Sequence, residues 1–250
     1  MKFFALNFLI FSFLFVSCSD KDSNVEKKIV CVLFDLSETT NNYETRKNYL
    51  DNFKIILNTM QGGDAIYTSL ITERSVSDIT MSLNFEFNNV TPKTDTELFL
   101  KIAKKQTDSL FRTIRDSIMA SVNMVLFNPP KKINSTEILS SLQIAERVFK
   151  SYPQQRKILV VFSDMIEDSK QYNFENDILS DKNTLRIINN EKSANLIPDL
   201  ANVKIYIVGA FHSNTNKYNR IKDFWLKYFK TTGASLQSHN YGASLIRFDE

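Results

Sequence analysis

Three continuous apolar runs of strand length constrain the fold of this chain more than any other feature. They are Lys28 to Phe34, Lys157 to Phe162 and Val203 to Val208, and each is rich in Ile, Val, Leu or Phe. Strands that are apolar at nearly every position are typical of central parallel strands that are buried on both faces. Segments with helical periodicity lie between these runs. The sequence therefore predicts an α/β fold with a doubly wound, mostly parallel sheet flanked by helices.

Further strands and helices extend this pattern. Asp64 to Thr72 is predicted to be a strand, and Ile79 to Phe87 alternates as an exposed edge strand does. Ser244 to Phe248 is expected to close the sheet. Four helices are predicted over Asn42 to Met60, Thr136 to Lys150, Lys182 to Ala194 and Asn219 to Thr231. Gly233 follows the last helix as a C-terminal cap.

A long amphipathic segment from Thr94 to Phe127 is an addition to the minimal pattern. Thr94 to Glu97 has the form of a capping box, and Pro129-Pro130 ends the segment. Seven apolar residues share one stripe of the predicted helix. They are Leu98, Ile102, Leu110, Ile114, Ile118, Val122 and Val125. Such a stripe packs most often against the protein's own sheet, and the alternative is an arm that binds a partner.

Oxygen-bearing side chains follow two of the buried strands. Asp35, Ser37 and Thr39 come directly after the first strand, and alternate residues of an extended segment point the same way. Asp164 follows the strand that ends at residue 162, and ligands bind parallel sheets of this kind at the carboxyl ends of the strands. Thr136, on the loop before the preceding helix, is a further hydroxyl for the same edge. Hard oxygen donors suit Mg²⁺, Mn²⁺ or Ca²⁺.

This arrangement resembles the von Willebrand factor A family and its metal-ion-dependent adhesion site (MIDAS). That site consists of an Asp-x-Ser-x-Ser/Thr loop, a later Thr and a later Asp. Asp35-x-Ser37-x-Thr39, Thr136 and Asp164 stand in that order and context. The resemblance covers most of the chain from about residue 28 to residue 248. Two departures are the long insertion at about 94–127 and the absence of glycine near the second aspartate.

The resemblance implies a role for each residue of the site. Ser37, Thr39 and Thr136 would contact the metal directly, while Asp35 and Asp164 would act largely through water and supply negative charge. The metal is expected to be Mg²⁺, with Mn²⁺ or Ca²⁺ as alternatives. One coordination position would be left open for an acidic group on a protein or other ligand. The implied function is that of a binding module and not of an enzyme.

Two other functions fit parts of the sequence. The same residues would also serve as helix caps and turn residues, so a domain with a degenerate metal site could act as a scaffold that binds through its inserted helix or sheet edge. A phosphatase-like hydrolase of the haloacid dehalogenase type also has Asp after its first strand. That chemistry needs a second Asp two residues later, where this chain has Ser37. Glu167, Asp168 and His212 are expected to be exposed loop residues.

The N-terminal segment indicates export. Lys2 is followed by an apolar run that is shorter than the roughly 20 residues needed to span a membrane. Phe15-Val16-Ser17-Cys18 resembles the lipobox of bacterial lipoprotein signals, although Phe15 replaces the usual leucine. We therefore expect a signal peptide over residues 1–17, a lipid such as palmitate on Cys18 and a polar tether over 18–27. The domain over 28–250 would then be anchored to a membrane of the bacterial cell envelope.

Charge and cysteine content narrow the range of partners. The net charge is +3, and the basic residues are spread among acidic ones without a run that would follow a phosphate backbone. A nucleic-acid partner is therefore not expected. Cys31 lies within the first apolar run and is predicted to be a small buried hydrophobic residue. If Cys18 carries lipid, no second thiol remains for an internal disulfide.

Overall fold

One six-stranded sheet forms the centre of the molecule. The computed structural model describes residues 26–72, 82–129 and 135–249. The strands are β1 (Lys28–Asp35), β2 (Ala65–Ile71), β3 (Leu83–Glu86), β4 (Arg156–Phe162), β5 (Val203–Val208) and β6 (Ser235–Gly242). Their order in the sheet is β3-β2-β1-β4-β5-β6, and β3 alone is antiparallel to its neighbour. The strand order reverses at β1, between β2 and β4, so the predicted doubly wound α/β fold is confirmed.

The central strands are those that the sequence identified by their apolar composition. All eight residues of β1 are buried, and β1 pairs with β2 on one side and β4 on the other. Val30, for example, is level with Ile66 and Ile158 in the neighbouring strands. Successive side chains of β1 enter the two opposite cores, since Cys31 belongs to one and Val32 to the other. Both faces of the strand are therefore covered, which explains why the run does not alternate.

In the described part of the chain, five helices cover both faces of the sheet. They are α1 (Tyr43–Asn58), α2 (Glu97–Phe127), α3 (Ile138–Ser151), α4 (Asp181–Ser193) and α5 (Thr215–Thr231). One core contains side chains of α3, α4 and α5, among them Leu142, Ile187 and Trp225. The other core contains side chains of α1 and α2, such as Phe53 and Ile118.

Side-chain caps begin several of these helices. Asn42, Ser180 and Asn214 each accept a hydrogen bond from a backbone N–H in the first turn of α1, α4 and α5 respectively. At the end of α5, Gly233 has a φ of 79° and its N–H donates to Lys230, while the next N–H donates to Phe229. These two bonds form the glycine cap that the sequence predicts at this position.

Helix α2 forms within the predicted segment, but it buries a different line of residues from the predicted stripe. Thr96 precedes its first turn and makes no side-chain cap hydrogen bond, so the predicted capping box is wrong. Ile118 and Val122 of the predicted stripe are buried, whereas Leu98, Ile102 and Leu110 are exposed. The buried line consists of Ala103, Phe111, Ile118, Val122 and Leu126. Contacts with α1 and with the loops near β2 and β3 select this line, which periodicity alone does not fix.

Two predicted strands also differ from the structure. The last strand is β6 (Ser235–Gly242), and the predicted strand over residues 244–248 is irregular. The predicted edge strand is shorter than expected, since β3 covers Leu83–Glu86, and residues 79–81 lie outside the described residues. The predicted signal peptide, Cys18 and most of the tether also lie outside them. Cys31 is buried as predicted.

No helix in the described part of the chain is long and apolar enough to cross a membrane.

Candidate metal centre

Asp35 is the last residue of β1, and its carboxylate is fully buried. One oxygen accepts the Ser37 N–H (2.8 Å), and the other accepts the hydroxyl of Ser163 at the end of β4 (2.8 Å). The Thr40 hydroxyl donates to the Asp35 carbonyl (3.0 Å) and fixes the turn that leads into α1. Asp35 is thus held at the carboxyl edge between two neighbouring parallel strands.

The hydroxyls of Ser37 and Thr39 lie on the loop that follows Asp35. Their oxygens are 3.1 Å apart, so the alternate residues of this segment do share one side as predicted. Ser37 is buried and Thr39 is exposed. The loop therefore presents one sheltered and one open oxygen at the edge of the sheet.

Asp164 enters the same cluster from the loop after β4. One of its oxygens accepts the Ile166 N–H (2.9 Å), and the Thr39 hydroxyl lies close enough to the carboxylate to lower its pKa. Burial and then the nearby charge of Asp35 raise the pKa of Asp164 to about 7. Burial likewise raises the pKa of Asp35, against the effect of the hydrogen bonds from Ser37 and Ser163. The fold therefore brings two carboxylates together in a site where burial and mutual repulsion disfavour their ionised forms.

Thr136 reaches this edge in a different way. Its backbone pairs with Asp168, each N–H donating to the other residue's carbonyl at 2.9 Å. Thr136 is buried, and Asp168 is only four residues beyond Asp164. Among the described residues, the Thr136 hydroxyl makes no hydrogen bond to the other four predicted site residues. Four of the five are thus linked by direct contacts, and Thr136 is tied to their loop through its backbone.

The loop after β4 has a strained residue that fixes its course. Met165 has a φ of 66°, in the region that favours glycine. The Ser163 hydroxyl accepts the Met165 N–H (2.9 Å), and the Trp225 ring N–H donates to the Met165 carbonyl (2.9 Å). These contacts hold a conformation that glycine would adopt more easily, so the absence of glycine near Asp164 does not prevent the turn. Sequence reasoning missed Ser163, although it adjoins Asp164 at the strand end.

Two buried tyrosines lie near the carboxylates. Tyr49 of α1 and Tyr241 of β6 have hydroxyls without a hydrogen-bond partner within the described ranges. Burial raises the pKa of Tyr49, and the charges of Asp35 and Asp164 raise it further. Burial, Tyr218 and Asp164 do the same for Tyr241. Their hydroxyls are therefore unpaired polar groups close to the acidic cluster, and sequence reasoning did not identify them.

The donor set fits a hard divalent cation in part. Asp35, Asp164, Ser37 and Thr39 offer only oxygen atoms, which Mg²⁺, Mn²⁺ and Ca²⁺ prefer. A cation would offset the repulsion between the two carboxylates, and the unused tyrosine hydroxyls leave further polar groups nearby. Within the described residues no group of three or more His, Cys, Asp or Glu side chains could hold a metal. Half of the donors here are hydroxyls, so a bound ion would need further oxygens from water or a partner.

Glu167 and His212 differ from their predicted exposure, as does Asp168, which is half-buried. Glu167 is buried, with 1% of its surface exposed, and accepts the N–H of Leu139 at the start of α3 (3.0 Å). His212 is half-buried, and its ring lies 3.4 Å from a carboxylate oxygen of Glu175. The Asn214 N–H donates to the other ring nitrogen (2.9 Å). Both side chains thus have structural partners, so neither is the exposed loop residue that the sequence predicted.

No protein-family model and no curated protein matches the chain. Solved structures do resemble it. Proximal thread matrix protein 1 from the mussel byssus, in a form with a zinc-occupied MIDAS motif, is 14% identical with a TM-score of 0.40 over 78% of this chain and 41% of that one. A von Willebrand factor type A protein from Catenulispora acidiphila is 13% identical, with a TM-score of 0.37 over 83% and 43%. The pilus adhesin SpaC from Lactobacillus rhamnosus GG is 8% identical, with a TM-score of 0.42 over 86% and 28%.

The chain spans less than half the length of each of these proteins. The fold of this chain is assigned from its own strand order and helices.

Proposed function

We propose that this chain is a membrane-anchored binding domain of the bacterial cell envelope, which uses a divalent cation to bind an acidic group of a protein or other ligand. The observation that carries the proposal is the cluster of Asp35, Asp164, Ser37 and Thr39 at the carboxyl edge. Two carboxylates meet there with raised pKa values, next to two hydroxyls. A cation at this point would offset a charge repulsion that the fold itself creates.

Each residue has a distinct part in this proposal. Ser37, Thr39 and Thr136 would bind the metal through their hydroxyls, and Asp35 and Asp164 would supply charge and hold the donors in place. Mg²⁺ is the first candidate, with Mn²⁺ and Ca²⁺ as alternatives. The bound ion would supply positive charge to attract a carboxylate of the partner. Thr39 is the exposed hydroxyl, so the partner would approach from its side.

The start of β1 is placed so that a lipid anchor on the preceding segment would leave the acidic cluster accessible. Lys28 begins β1 at the edge of the sheet opposite to Asp35, and a strand of eight residues is about 26 Å long. A lipid on Cys18 would hold the opposite edge near the membrane. The acidic cluster would then face away from the membrane, where a soluble partner can reach it.

Thermal melts test the metal site. The full chain is purified in detergent and heated with Mg²⁺, Mn²⁺, Ca²⁺ or chelator. A metal at 100 times its Kd stabilises the native state by about 2.7 kcal/mol, which corresponds to a rise in Tm on the order of 5–10 °C. Asp164→Asn keeps the oxygen that accepts the Ile166 N–H but removes the charge, so its rise in Tm should be lost. Asp51→Asn, an exposed change on α1, should behave as wild type.

The melts also decide between the two binding hypotheses. If no metal raises the Tm of wild type, the cation-dependent site is wrong and the chain is a scaffold that binds through other surfaces. If wild type and Asp164→Asn respond equally, the metal binds elsewhere on the chain. A selective loss in Asp164→Asn would support the proposed site and justify a search for acidic partners.

The anchor has its own test. The chain and its Cys18→Ser variant are produced in a bacterium that processes lipoproteins, and membrane and soluble fractions are compared by mass spectrometry. We expect the wild-type chain in the membrane fraction with acyl chains on Cys18 and without residues 1–17. Recovery of an unmodified Cys18 would contradict the lipoprotein assignment.

A further inference from the structure

Helix α2 projects well beyond the helix against which it packs. Its 31 residues correspond to a length of about 46 Å, compared with about 24 Å for the 16 residues of α1. Arg115 marks the point where α1 ends, because its guanidinium donates to the carbonyls of Leu57 (3.0 Å) and Met60 (2.8 Å). From Glu97 to Arg115, α2 therefore continues for about 27 Å toward its own N-terminus.

The projecting part of α2 exposes large apolar side chains to solvent. Leu98 is 65% exposed, Ile102 is 42% exposed and Leu110 is 40% exposed. Leu98 and Ile102 are four positions apart and share one side of the helix, whereas Leu110 lies about a third of a turn away. Lys101 and Lys105, both exposed and also four positions apart, form an adjacent stripe. Lys101 pairs with Glu97 in an exposed ion pair, which is weak. An apolar stripe beside a basic one is typical of helices that lie at a lipid surface.

The segment of α2 that carries this surface lies at the same edge of the molecule as the start of β1. The Lys28 N–H donates to Asp64 on the loop that enters β2 (2.9 Å), and the Lys27 side chain packs near Gly63 of that loop. The same loop lines one cavity together with Leu100 and Ala103 of α2. The projecting half of α2 and the start of β1 are thus neighbours at the edge opposite to Asp35.

We propose that the projecting half of α2, residues 97–114, lies on the anionic membrane surface to which the chain is anchored. This inference rests on the proposed lipid at Cys18. The ten residues from Cys18 to Lys28 can extend at most about 35 Å, so an anchored domain must remain close to the membrane by this edge. The apolar stripe would enter the headgroup region, and the lysines would contact the negatively charged headgroups.

Site-specific fluorescence tests the proposal on the lipidated chain. Cys18 carries lipid, and Cys31 is fully buried with a thiol pKa raised by burial, so an introduced cysteine can be labelled selectively. Leu98→Cys and Ile102→Cys carry an environment-sensitive dye. Phe211→Cys, at an exposed position beyond β5 on the opposite edge, is the matched control. The chains are reconstituted into phosphatidylglycerol vesicles that contain brominated phosphatidylcholine as a quencher.

Labels at residues 98 and 102 should shift to shorter wavelength and lose most of their fluorescence, while the label at residue 211 should remain unquenched. Replacing phosphatidylglycerol with phosphatidylcholine should weaken both effects, because the lysine contacts are electrostatic. If labels 98 and 102 behave like label 211, the membrane contact is wrong. If labels 98 and 102 shift to shorter wavelength in the vesicles without being quenched, a second copy or another protein covers α2, which also contradicts the proposal.

Flotation of the same vesicles separates this proposal from the anchor. If the chain floats with the vesicles but labels 98 and 102 are not quenched, the anchor stands and the docking of α2 is wrong. If the chain fails to float, the anchor itself is wrong and the docking proposal fails with it.

Discussion

Gly209 shows how one residue can fix the packing behind the acidic cluster. It follows β5, its φ is 98°, and a Cβ built on it would lie 2.5 Å from a ring carbon of Tyr49. The Tyr49 ring also packs on Phe162 at a centroid distance of 5.3 Å. Only glycine combines this backbone conformation with room for the ring, so the position of Tyr49 beside Asp35 depends on a residue far away in the sequence.

Gly209→Ala should therefore destabilise the protein. The added methyl group forces a shift of a buried ring, which costs about 1–3 kcal/mol, and the positive φ adds about 1–2 kcal/mol. Urea denaturation measures the change in the free energy of unfolding. Gly242→Ala is the control, because a Cβ there meets nothing within 4 Å. Equal effects of the two substitutions would show that the contact with Tyr49 does not constrain residue 209.

At the scale of elements, α3 depends on a distant carboxylate for its first turn. Glu137 precedes the helix and makes no side-chain cap hydrogen bond. Glu167, on the loop after β4, accepts the Leu139 N–H instead. Burial raises the pKa of Glu167 to about 8, although hydrogen bonds from Leu139, Ser169 and Ile138 lower it. The start of α3 is thus coupled to the loop that carries Asp164.

This coupling predicts a pH effect on stability. Between pH 4.5 and about pH 8 the folded state holds a proton on Glu167 that the unfolded state has released, so stability should fall as the pH rises through this window. Glu167→Gln keeps the acceptor for Leu139 without a titratable group, and its Tm should fall less between pH 5 and pH 9 than that of wild type. Glu167→Ala should lose about 1–3 kcal/mol at every pH, because a buried N–H loses its acceptor.

Glu97→Gln makes the same chemical change in the exposed first turn of α2 and should leave the pH dependence of wild type unchanged. If the Tm of the Glu167→Gln variant falls with pH as steeply as that of wild type, groups other than Glu167 cause the pH dependence.

At the scale of the whole molecule, buried ion pairs tie the two ends of the described chain to the sheet. The Lys28 ammonium lies 3.3 Å from Asp64 and 3.0 Å from Asp249, and all three side chains are less than one tenth exposed. Arg156 also contacts Asp249 (2.7 Å). Asp64 in addition accepts the N–H groups of Lys28 (2.9 Å) and Gln61 (2.8 Å). The edge opposite to the acidic cluster is therefore held by charge as well as by packing.

Asp64→Ala should be strongly destabilising. It leaves the buried Lys28 ammonium with one partner fewer and two backbone N–H groups without an acceptor, and breaking a buried pair costs about 3–5 kcal/mol. Urea denaturation gives the loss. Asp181→Ala removes an exposed partner of Lys227 and should have little effect. If Asp64→Ala and Asp181→Ala had similar free energies of unfolding, the buried ion pairs of Lys28 would stabilise the protein no more than an exposed ion pair does.

Much of the architecture was determined by the sequence alone. A run such as Val203 to Val208 is stable only where both faces are covered, so its apolar composition fixes it as a central strand. Parallel strands have their carboxyl ends at one edge, and this topology brings Asp35 and Asp164 together once both strands are known. The pairing of these two acids therefore follows from local patterns plus a single topological rule.

Other features were decided only by tertiary structure. The burial of Glu167 depends on N–H donors of α3, nearly thirty residues away in sequence, and no local pattern reports them. Within the described ranges the polar strand β6 pairs only with β5, so an edge position tolerates a sequence that has no strand pattern of its own. The exposed side of α2 is likewise set by its contacts with α1 and with the loops near β2 and β3. Local sequence fixes which elements form, whereas the environment of a side chain depends on which distant segments pack around it.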